Sequence, residues 1–442
     1  MADRAVIMGS GFAGLMAARV LSDYFGEVII VERDAKPADT GPRKGVPQGH
    51  HIHVLLNRGE QILEELFPGF RDALQEKGSV TATLGEDVRW YLAGRWMPSF
   101  NGGMVSFFQS RPFLEELLRG FVAKIPNIRF LYETAIENLD IHQEQNKVSS
   151  LTLASKRDGK KHSLEADFYL DAMGRGSPLK QFLEAASRDL PPESVVGVDF
   201  AYASAFFEIP EEISPDWKVV LIYPKAPDET RAAAIVPVEG NRWLVTAAGY
   251  NGDHPPLDPE GYIEFMRSLS QPDVYDAIRS ARLIDKIRPF KFKAGIRRHF
   301  EKSNPLPDNM LVIGDVICSA NPFFGQGIAA AAQEAKILEK IFKNNGVVGV
   351  LENASVRDDY FSDIAGILNI SWGLAIGEDL KYPSTTGQKP FGFTASRWVK
   401  DRIMSSDDPE VAKQFYNVMH FVDPPQSLFK PRVLKSVLLG SS

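Results

Sequence analysis

Arg4-Ala-Val-Ile-Met8, Gly9-Ser-Gly-Phe-Ala-Gly14 and Leu15-Met-Ala-Ala-Arg-Val-Leu-Ser-Asp-Tyr-Phe25 read in succession as an apolar strand, a glycine turn and a helix carrying small residues. Glu27-Val-Ile-Ile-Val31 is a second strand, and Glu32 follows it directly. In a strand–turn–helix unit of this kind Gly9 makes the tight turn, Gly11 lets the backbone approach a pyrophosphate, and Gly14 lets helix and strand pack closely. Free amides of the helix N-terminus then face the anion. A carboxylate at Glu32 stands where it can accept ribose hydroxyls. The pattern points to an adenine dinucleotide; the bland alternative is a purely structural turn.

Outward from that unit, the chain runs to 442 residues, enough for two or three folding units. Hydrophobic residues make up 44% and charged residues 24%, which excludes disorder and collagen-like repeats. The formal net charge of −7 argues against nucleic acid or an anionic membrane as the main partner. Cys318 is the single cysteine, so no disulfide framework and no cysteine-based metal cluster can form within the chain. No apolar run reaches the ~18 residues of a membrane span, and no cleavage pattern follows the apolar N-terminus. A cytoplasmic protein of a reducing compartment is expected.

Two further glycine-bearing turns follow apolar strands. Leu311-Val-Ile-Gly-Asp315 leads into Asn321-Pro-Phe-Phe-Gly-Gln-Gly327 and the Ala-rich helix expected over Ile328–Phe342. There Asp315 could accept ribityl hydroxyls, while amides of Gly325, Gln326, Gly327 and Ile328 at a helix start could hold negative charge on a flavin. A strand–turn–helix with a capping Asp is the competing reading. The third turn is Asp171-Ala-Met-Gly174-Arg-Gly-Ser177. Helices are expected near Asn57–Phe67 and Pro112–Lys124, and hairpins across Val88–Phe108. Strands near Ile128–Tyr132, Val148–Ser155 and Phe168–Leu170 are expected to return to the first domain. The runs Val195–Ile209, Lys218–Tyr223, Ala232–Val238, Trp243–Ala248 and Ile287–Arg297 read as an antiparallel sheet. A helical tail is expected from Asp358 onward.

The three glycine motifs in this order resemble the FAD-dependent monooxygenases of the p-hydroxybenzoate hydroxylase type, group A, from about Ala5 to Phe342. The resemblance implies an α/β fold: a Rossmann-like FAD-binding domain (1–87, 110–190 and 299–345), an inserted antiparallel-sheet substrate domain (88–109 and 191–298) and a helical C-terminal extension (346–442). It implies that Gly9, Gly11, Phe12, Ala13, Gly14, Glu32 and Arg33 serve the ADP half of FAD. Asp171 and Gly174 would support FAD and pyridine-nucleotide handling. Gly314, Asp315, Pro322 and Gly325 would embrace the ribityl chain and flavin. The loop Pro42-Arg-Lys-Gly-Val-Pro-Gln-Gly-His-His-Ile-His53, Ser110-Arg-Pro112, Trp243 and Glu378-Asp379-x-x-Tyr382-Pro383 are similar to the actinobacterial polyether-type epoxidase branch. That similarity would put Arg43 on the pyrophosphate, Gly45 and Val46 along the flavin edge, and Arg111 near the cofactor. One departure is the absence of a His shortly after Gly314-Asp315, where this chain reads Val-Ile-Cys-Ser-Ala-Asn-Pro322.

The implied activity is epoxidation or hydroxylation of an apolar small molecule by O2 and reduced flavin through a C4a-hydroperoxide, with the chemistry borne by the flavin and no catalytic side chain. NADH or NADPH, or a partner flavin reductase, would supply electrons. A lipid-directed flavoprotein reductase or dehydrogenase is one alternative. A flavin-dependent halogenase is another, although the halogenase Trp-x-Trp-x-Ile-Pro motif is absent, and a cofactor-binding protein without turnover is a third. Phe323, Phe324, Trp217, Tyr223 and Trp243 are candidate pocket residues, beside Phe200, Tyr202, Phe206 and Phe292; each could instead be core, since only one face of a strand can look into a pocket. His51 and His53, beside His50, could line the site or belong to a plain loop; a metal there would need further ligands. Cys318 is expected as a buried thiol, Arg297-Arg298 as a solvated pair, and Glu378-Asp379 at a surface or interface, because a buried acid pair is costly.

Overall fold

A computed structural model describes residues 3–37, 41–43, 45–390 and 393–439; Lys44 of the histidine-bearing loop lies outside them. Five strands form a parallel sheet in the order Met310–Val312, Phe168–Asp171, Arg4–Met8, Glu27–Val31, Ile128–Leu131. The three central strands are buried along almost their whole length, as their unbroken apolar runs require when both faces are covered. Helix Phe12–Leu21 starts three residues earlier than the periodicity suggests, because Gly11 in extended conformation caps it directly after the turn. It packs on helix Gly327–Glu352, whose small first turns admit close approach and whose path breaks at Gly346.

The second large sheet has eight strands, ordered Cys318–Ser319, Arg288–Arg298, Glu193–Glu208, Arg242–Tyr250, Arg231–Val238, Val219–Ile222, Val88–Leu92, Arg95–Trp96. It is antiparallel except where Val88–Leu92 joins Val219–Ile222 in parallel. The runs expected between Val195 and Arg297 pair antiparallel with one another, and the early hairpin Val88–Trp96 docks on the sheet edge in the same direction as its neighbour. Val105–Phe108 leaves that hairpin and pairs with Val80–Thr83, a strand the sequence reading missed. Lys147–Ser155 lies between Thr134–His142 and Lys161–Leu164 in a separate three-stranded meander.

Alternation fixes the two faces of the eight-stranded sheet. On one face Phe207, Val220, Ile222, Ala247 and Val245 pack beneath the unanticipated helices Pro259–Arg267 and Asp273–Ile278. Trp217 and Trp243 belong to this face, with rings 6.2 Å apart. They are core residues, which corrects their assignment to the pocket. The other face looks toward the parallel sheet and the tail helices. Helices Ala354–Asp379 and Pro409–Met419 close the space between them. Among the described residues no helix is long and apolar enough to cross a membrane.

Two charge expectations are also corrected. Asp379 is buried and accepts hydrogen bonds from Asn321 (2.7 Å) and Tyr250 (3.1 Å), while Glu378 pairs with Lys400 (2.5 Å) and Lys381 (3.0 Å). Arg297 is buried against Asn369 (2.5 Å) and Glu301 (3.3 Å), and Arg298 donates to Val316 O (2.6 Å) and pairs with Glu193 (2.9 Å). In each case most of the partners come from segments far along the chain, which local charge patterning does not reveal.

Candidate functional site

A cavity of about 350 Å³ runs from the first glycine turn along the inner face of the eight-stranded sheet, within the ~300–1,000 Å³ usual for ligand sites. Its sheet wall is read off by alternation: Phe290 and Phe292, Phe200 and Tyr202, Thr246 and Ala248, Ala232 and Ala234, Val219 and Leu221, Val88 and Trp90. These residues cross five interstrand steps, roughly 24 Å at the usual ~4.8 Å spacing. Small residues hold the middle and aromatic ones the two ends.

At one end the three glycine turns converge. Gly9 has φ +103°, and a Cβ at Gly14 would lie 2.1 Å from Gly9 O, so the turn closes tightly only with glycine. A Cβ at Gly11 would meet nothing within 4 Å, which leaves a cradle of open space at the start of helix Phe12–Leu21, where Gly11, Phe12 and Ala13 line the cavity. Gly174, Gly314 and Asp315 face them from the neighbouring strand ends. The Asp315 side chain opens into the cavity and takes no hydrogen bond from the described residues. Burial raises its pKa, and Arg111 and Arg175 oppose that rise. Pro322, Phe323, Phe324, Gly325, Gln326, Gly327 and Ile328 border the same space, with the amide end of helix Gly327–Glu352 turned toward it. Gln326 Nε2 and Arg111 Nε are buried without hydrogen bonds. A helix start and an open carboxylate on one concave wall fit a dinucleotide that brings phosphate oxygens and ribityl hydroxyls.

Supporting groups lock this wall. Arg111 Nη1 donates to His53 Nε2 (2.9 Å), so the His53 proton is on Nδ1, which donates to His51 O (3.0 Å). Burial and the Arg111 charge hold His53 well below the usual imidazole range, and it stays neutral. His53 therefore orients Arg111, which lies 5.2 Å from the Phe12 ring. His51 Nδ1 meets Ser204 Oγ (2.8 Å), which meets Thr246 Oγ1 (2.6 Å); burial pushes His51 down to about 3. Glu334 accepts from Gly314 N (2.6 Å), and burial pushes its carboxyl up to about 8. Asp171 faces away from the cavity and holds its own turn through Met173 N (2.9 Å) and Ser177 Oγ (2.5 Å); burial pushes it up to about 6. Cys318 is buried and lines the cavity, its thiol pKa raised by burial. No group of metal-ligating residues exists among the described residues.

The adenosine end departs from expectation. Glu32 accepts from Ser10 Oγ (2.5 Å), Ser10 N (3.1 Å) and Asp34 N (2.9 Å), and pairs with Arg43 (2.9 Å). Burial works against its charge, but Arg43 and Ser10 keep its pKa low. Arg43 also pairs with Glu115 (2.5 Å), while Glu32 Oε1 accepts, among the described residues, only from Asp34 N. Arg33 is exposed and reaches Gly45 O (3.3 Å). Gly45 and Val46 do not border the large cavity. Gln48 and residues 51–54 do, because the turn Pro47–His50 carries the chain inward only after Val46. Sequence reasoning missed Arg175, Glu334, Tyr416 and His420. Arg175 and Glu334 stand in or beside the glycine motifs, whereas Tyr416 and His420 come from the end of the C-terminal helix Pro409–Met419 and carried no such signal.

The family described as an FAD binding domain matches residues 3–344, and the chain belongs to this family of group A flavoprotein monooxygenases. Protein Rv3254 of Mycobacterium tuberculosis is 29% identical over 349 residues, covering 77% of this chain and 73% of that protein. The fold is similar to that of the flavin-dependent brominase Bmp2 (14% identity, TM-score 0.68, 94% of this chain and 92% of that one). It is also similar to p-nitrophenol 4-monooxygenase PnpA from Pseudomonas putida (14% identity, TM-score 0.64, 94% and 96%). One fold serves both named chemistries, so the reaction has to be argued from the cavity.

Proposed function

We propose that this chain is an FAD-dependent monooxygenase that epoxidises or hydroxylates a long or bulky, largely apolar, uncharged molecule, in secondary metabolism. The observation that carries the reading is the distribution of charge in the cavity. Its arginine and acidic lining residues among those described, Arg111, Arg175, Asp315 and Glu334, all gather at the glycine-turn end. Beyond Phe323 and Phe324 the walls are Leu84, Val88, Trp90, Val219, Leu221, Tyr223 and Met419. A carboxylate there would lie unpaired in an apolar space at a cost of several kcal/mol, whereas each apolar Å² buried gains roughly 25 cal/mol.

Bound FAD supplies the reduction and activation of O2. The chain's own groups do the rest. The amides of Gly325 to Ile328 and the helix they open set a positive field on one side of the cofactor space. Asp315 holds hydroxyls, Arg111 steadied by His53 offers a fixed cation, and the aromatic and alanine wall excludes water from the substrate side. In balance, substrate, O2, NAD(P)H and a proton give the oxygenated product, water and NAD(P)+. Electrons come from NADH or NADPH directly or through a partner flavin reductase. The loop Pro42–His53 and the tail Glu378–Pro383 support the polyether-type epoxidase branch.

The test is incubation of the FAD-loaded chain, NADPH or NADH and labelled O2 with panels of polyenes and polycyclic aromatics, read by mass spectrometry. One labelled oxygen atom in the product is expected. A product altered by two hydrogens without label would show a reductase or dehydrogenase, and a halide-dependent product would show a halogenase.

A further inference from the structure

Asp379 ends the helix Ala354–Asp379 and is buried. The nearby cations Lys381 and Lys400 pair with its neighbour Glu378 (3.0 and 2.5 Å). Asp379 Oδ1 instead accepts from Asn321 Nδ2 (2.7 Å) and from the Tyr250 hydroxyl (3.1 Å). Asn321 Nδ2 gives its other proton to that same hydroxyl (3.2 Å), and Asn321 Oδ1 accepts from Phe323 N (3.2 Å). A backbone N–H can only donate, so the Asn321 oxygen must face Phe323 and its NH2 must face Asp379. The tail closes over this cluster. Tyr382 stacks on Tyr250 with rings 4.4 Å apart and donates to Glu229 O (2.8 Å), while Thr385 Oγ1 donates to Asp379 O (2.6 Å).

Asn321 is also where the wall of the cofactor space begins. It caps the short turn Pro322–Phe324, which Gly325, at φ +66°, leads into helix Gly327–Glu352. Every residue from Asn321 to Ile328 lines the cavity. A buried carboxylate with no cation of its own is costly, and an apolar side chain would fill this space at lower cost. What Asp379 adds is an acceptor for an amide that has to keep its carbonyl on Phe323 N. We propose that Asp379 is a positioning residue for the cofactor: acting through Asn321, it holds the turn Pro322–Phe324, and the amides of Gly325 to Ile328 that follow, on the wall that receives the flavin. This rests on the reading of that wall as the flavin's seat, and it gives the Glu378–Pro383 segment a task there. Without the acceptor the Asn321 NH2 keeps one partner in place of two, the amide can turn, and the Phe323 N–H loses its cap.

The experiment is the FAD dissociation constant of the full chain, followed by flavin fluorescence at pH 8. Burial and the Glu378 charge raise the Asp379 pKa, Asn321 and Tyr250 oppose the rise, and the balance at about 7 makes it a carboxylate at that pH. Asp379→Leu is expected to weaken FAD binding about tenfold, and Asp379→Asn, which keeps an acceptor oxygen, about threefold. Asn321→Ala weakens binding about tenfold by itself. In that background Asp379→Leu adds less than about twofold, because the hydrogen bond it would remove is already gone. Additive losses in the double variant, or an Asp379→Leu chain whose FAD affinity stays within about twofold of the wild type, overturn the proposal. Asp315→Ala, measured alongside, separates two failures. If it weakens FAD binding and the Asp379 variants do not, the flavin's seat stands and the role of Asp379 falls. If none of them does, the seat reading falls as well. Melting temperature of the FAD-free chain reports folding; if Asp379→Leu does not fold, Asp379→Asn alone and in the Asn321→Ala background makes the same comparison.

Discussion

Asp315 shows how one residue can be legible in the sequence in kind but not in setting. A carboxylate after a strand and before a glycine loop suggests either a cap or a hydroxyl acceptor. The structure leaves Asp315 open to the cavity with no hydrogen bond from the described residues, which favours the second role. Asp315→Ala is expected to weaken FAD binding by roughly tenfold to a hundredfold, since hydrogen bonds to a charged group each contribute ~1.5–3 kcal/mol. Unchanged FAD affinity in a fluorescence titration would reduce Asp315 to a turn residue. Glu334 makes a separate, pH-dependent prediction. Its native pKa, about 8, lies above the ordinary 4.5, so the folded chain keeps a proton that the unfolded chain releases. That stabilisation is complete below pH 4.5 and is lost as pH rises through 8. Melting temperature is expected to fall between these values, and Glu334→Gln, which can still accept from Gly314 N, should fall less. Parallel slopes would show that Glu334 does not hold the proton.

Among the elements, the eight-stranded sheet separates core from site by parity alone. Ala234 faces the cavity and Ala247, on the neighbouring strand, faces the buried helices. Ala234→Phe is expected to block the passage, lowering binding of benzophenone, used as an apolar probe, more than about tenfold with FAD content unchanged. Ala247→Phe overpacks the core and should cost ~1–3 kcal/mol of stability while leaving FAD content unchanged. If both variants lose probe and FAD alike, the sheet does not divide the two functions in this way. The strands themselves were legible because β-branched and aromatic runs between Pro and Gly turns are a local signal. Their facing was not. Trp217 and Trp243 looked like pocket residues, but register puts Trp243 on the opposite face and Trp217 packs against it there. The helices Pro259–Arg267 and Asp273–Ile278 are short; the first carried a start signal that the sequence reading passed over, Asp258 accepting from Gly261 N ahead of Pro259. The buried Asp379, pushed up to about 7 by burial, was invisible because Asn321 and Tyr250 approach it from distant segments.

In the molecule as a whole, the glycine turns lie at the strand ends of the parallel sheet, and the mixed sheet with the tail helices encloses what stands in front of them. The dinucleotide end was readable because phosphate and flavin binding by backbone needs glycine at set spacings, a constraint written locally. The substrate end was not, because Trp90, Leu221, Tyr416 and His420 come together only through a parallel strand pairing and a helix that arrives from the far C-terminus. The same limit hid the protein partners of Glu32 and Arg43, which Ser10, Asp34 and Glu115 bring from separate segments. The most direct measurement is the electron density of the chain crystallised after reconstitution with FAD. The expected map has the ADP half at Gly9–Gly14, the ribityl chain on Asp315, and the flavin ring before Asn321–Gly327. Open space should remain from Thr246 to Trp90 and His420. A flavin ring filling the Trp90–His420 chamber, or FAD bound away from the glycine turns, would contradict it.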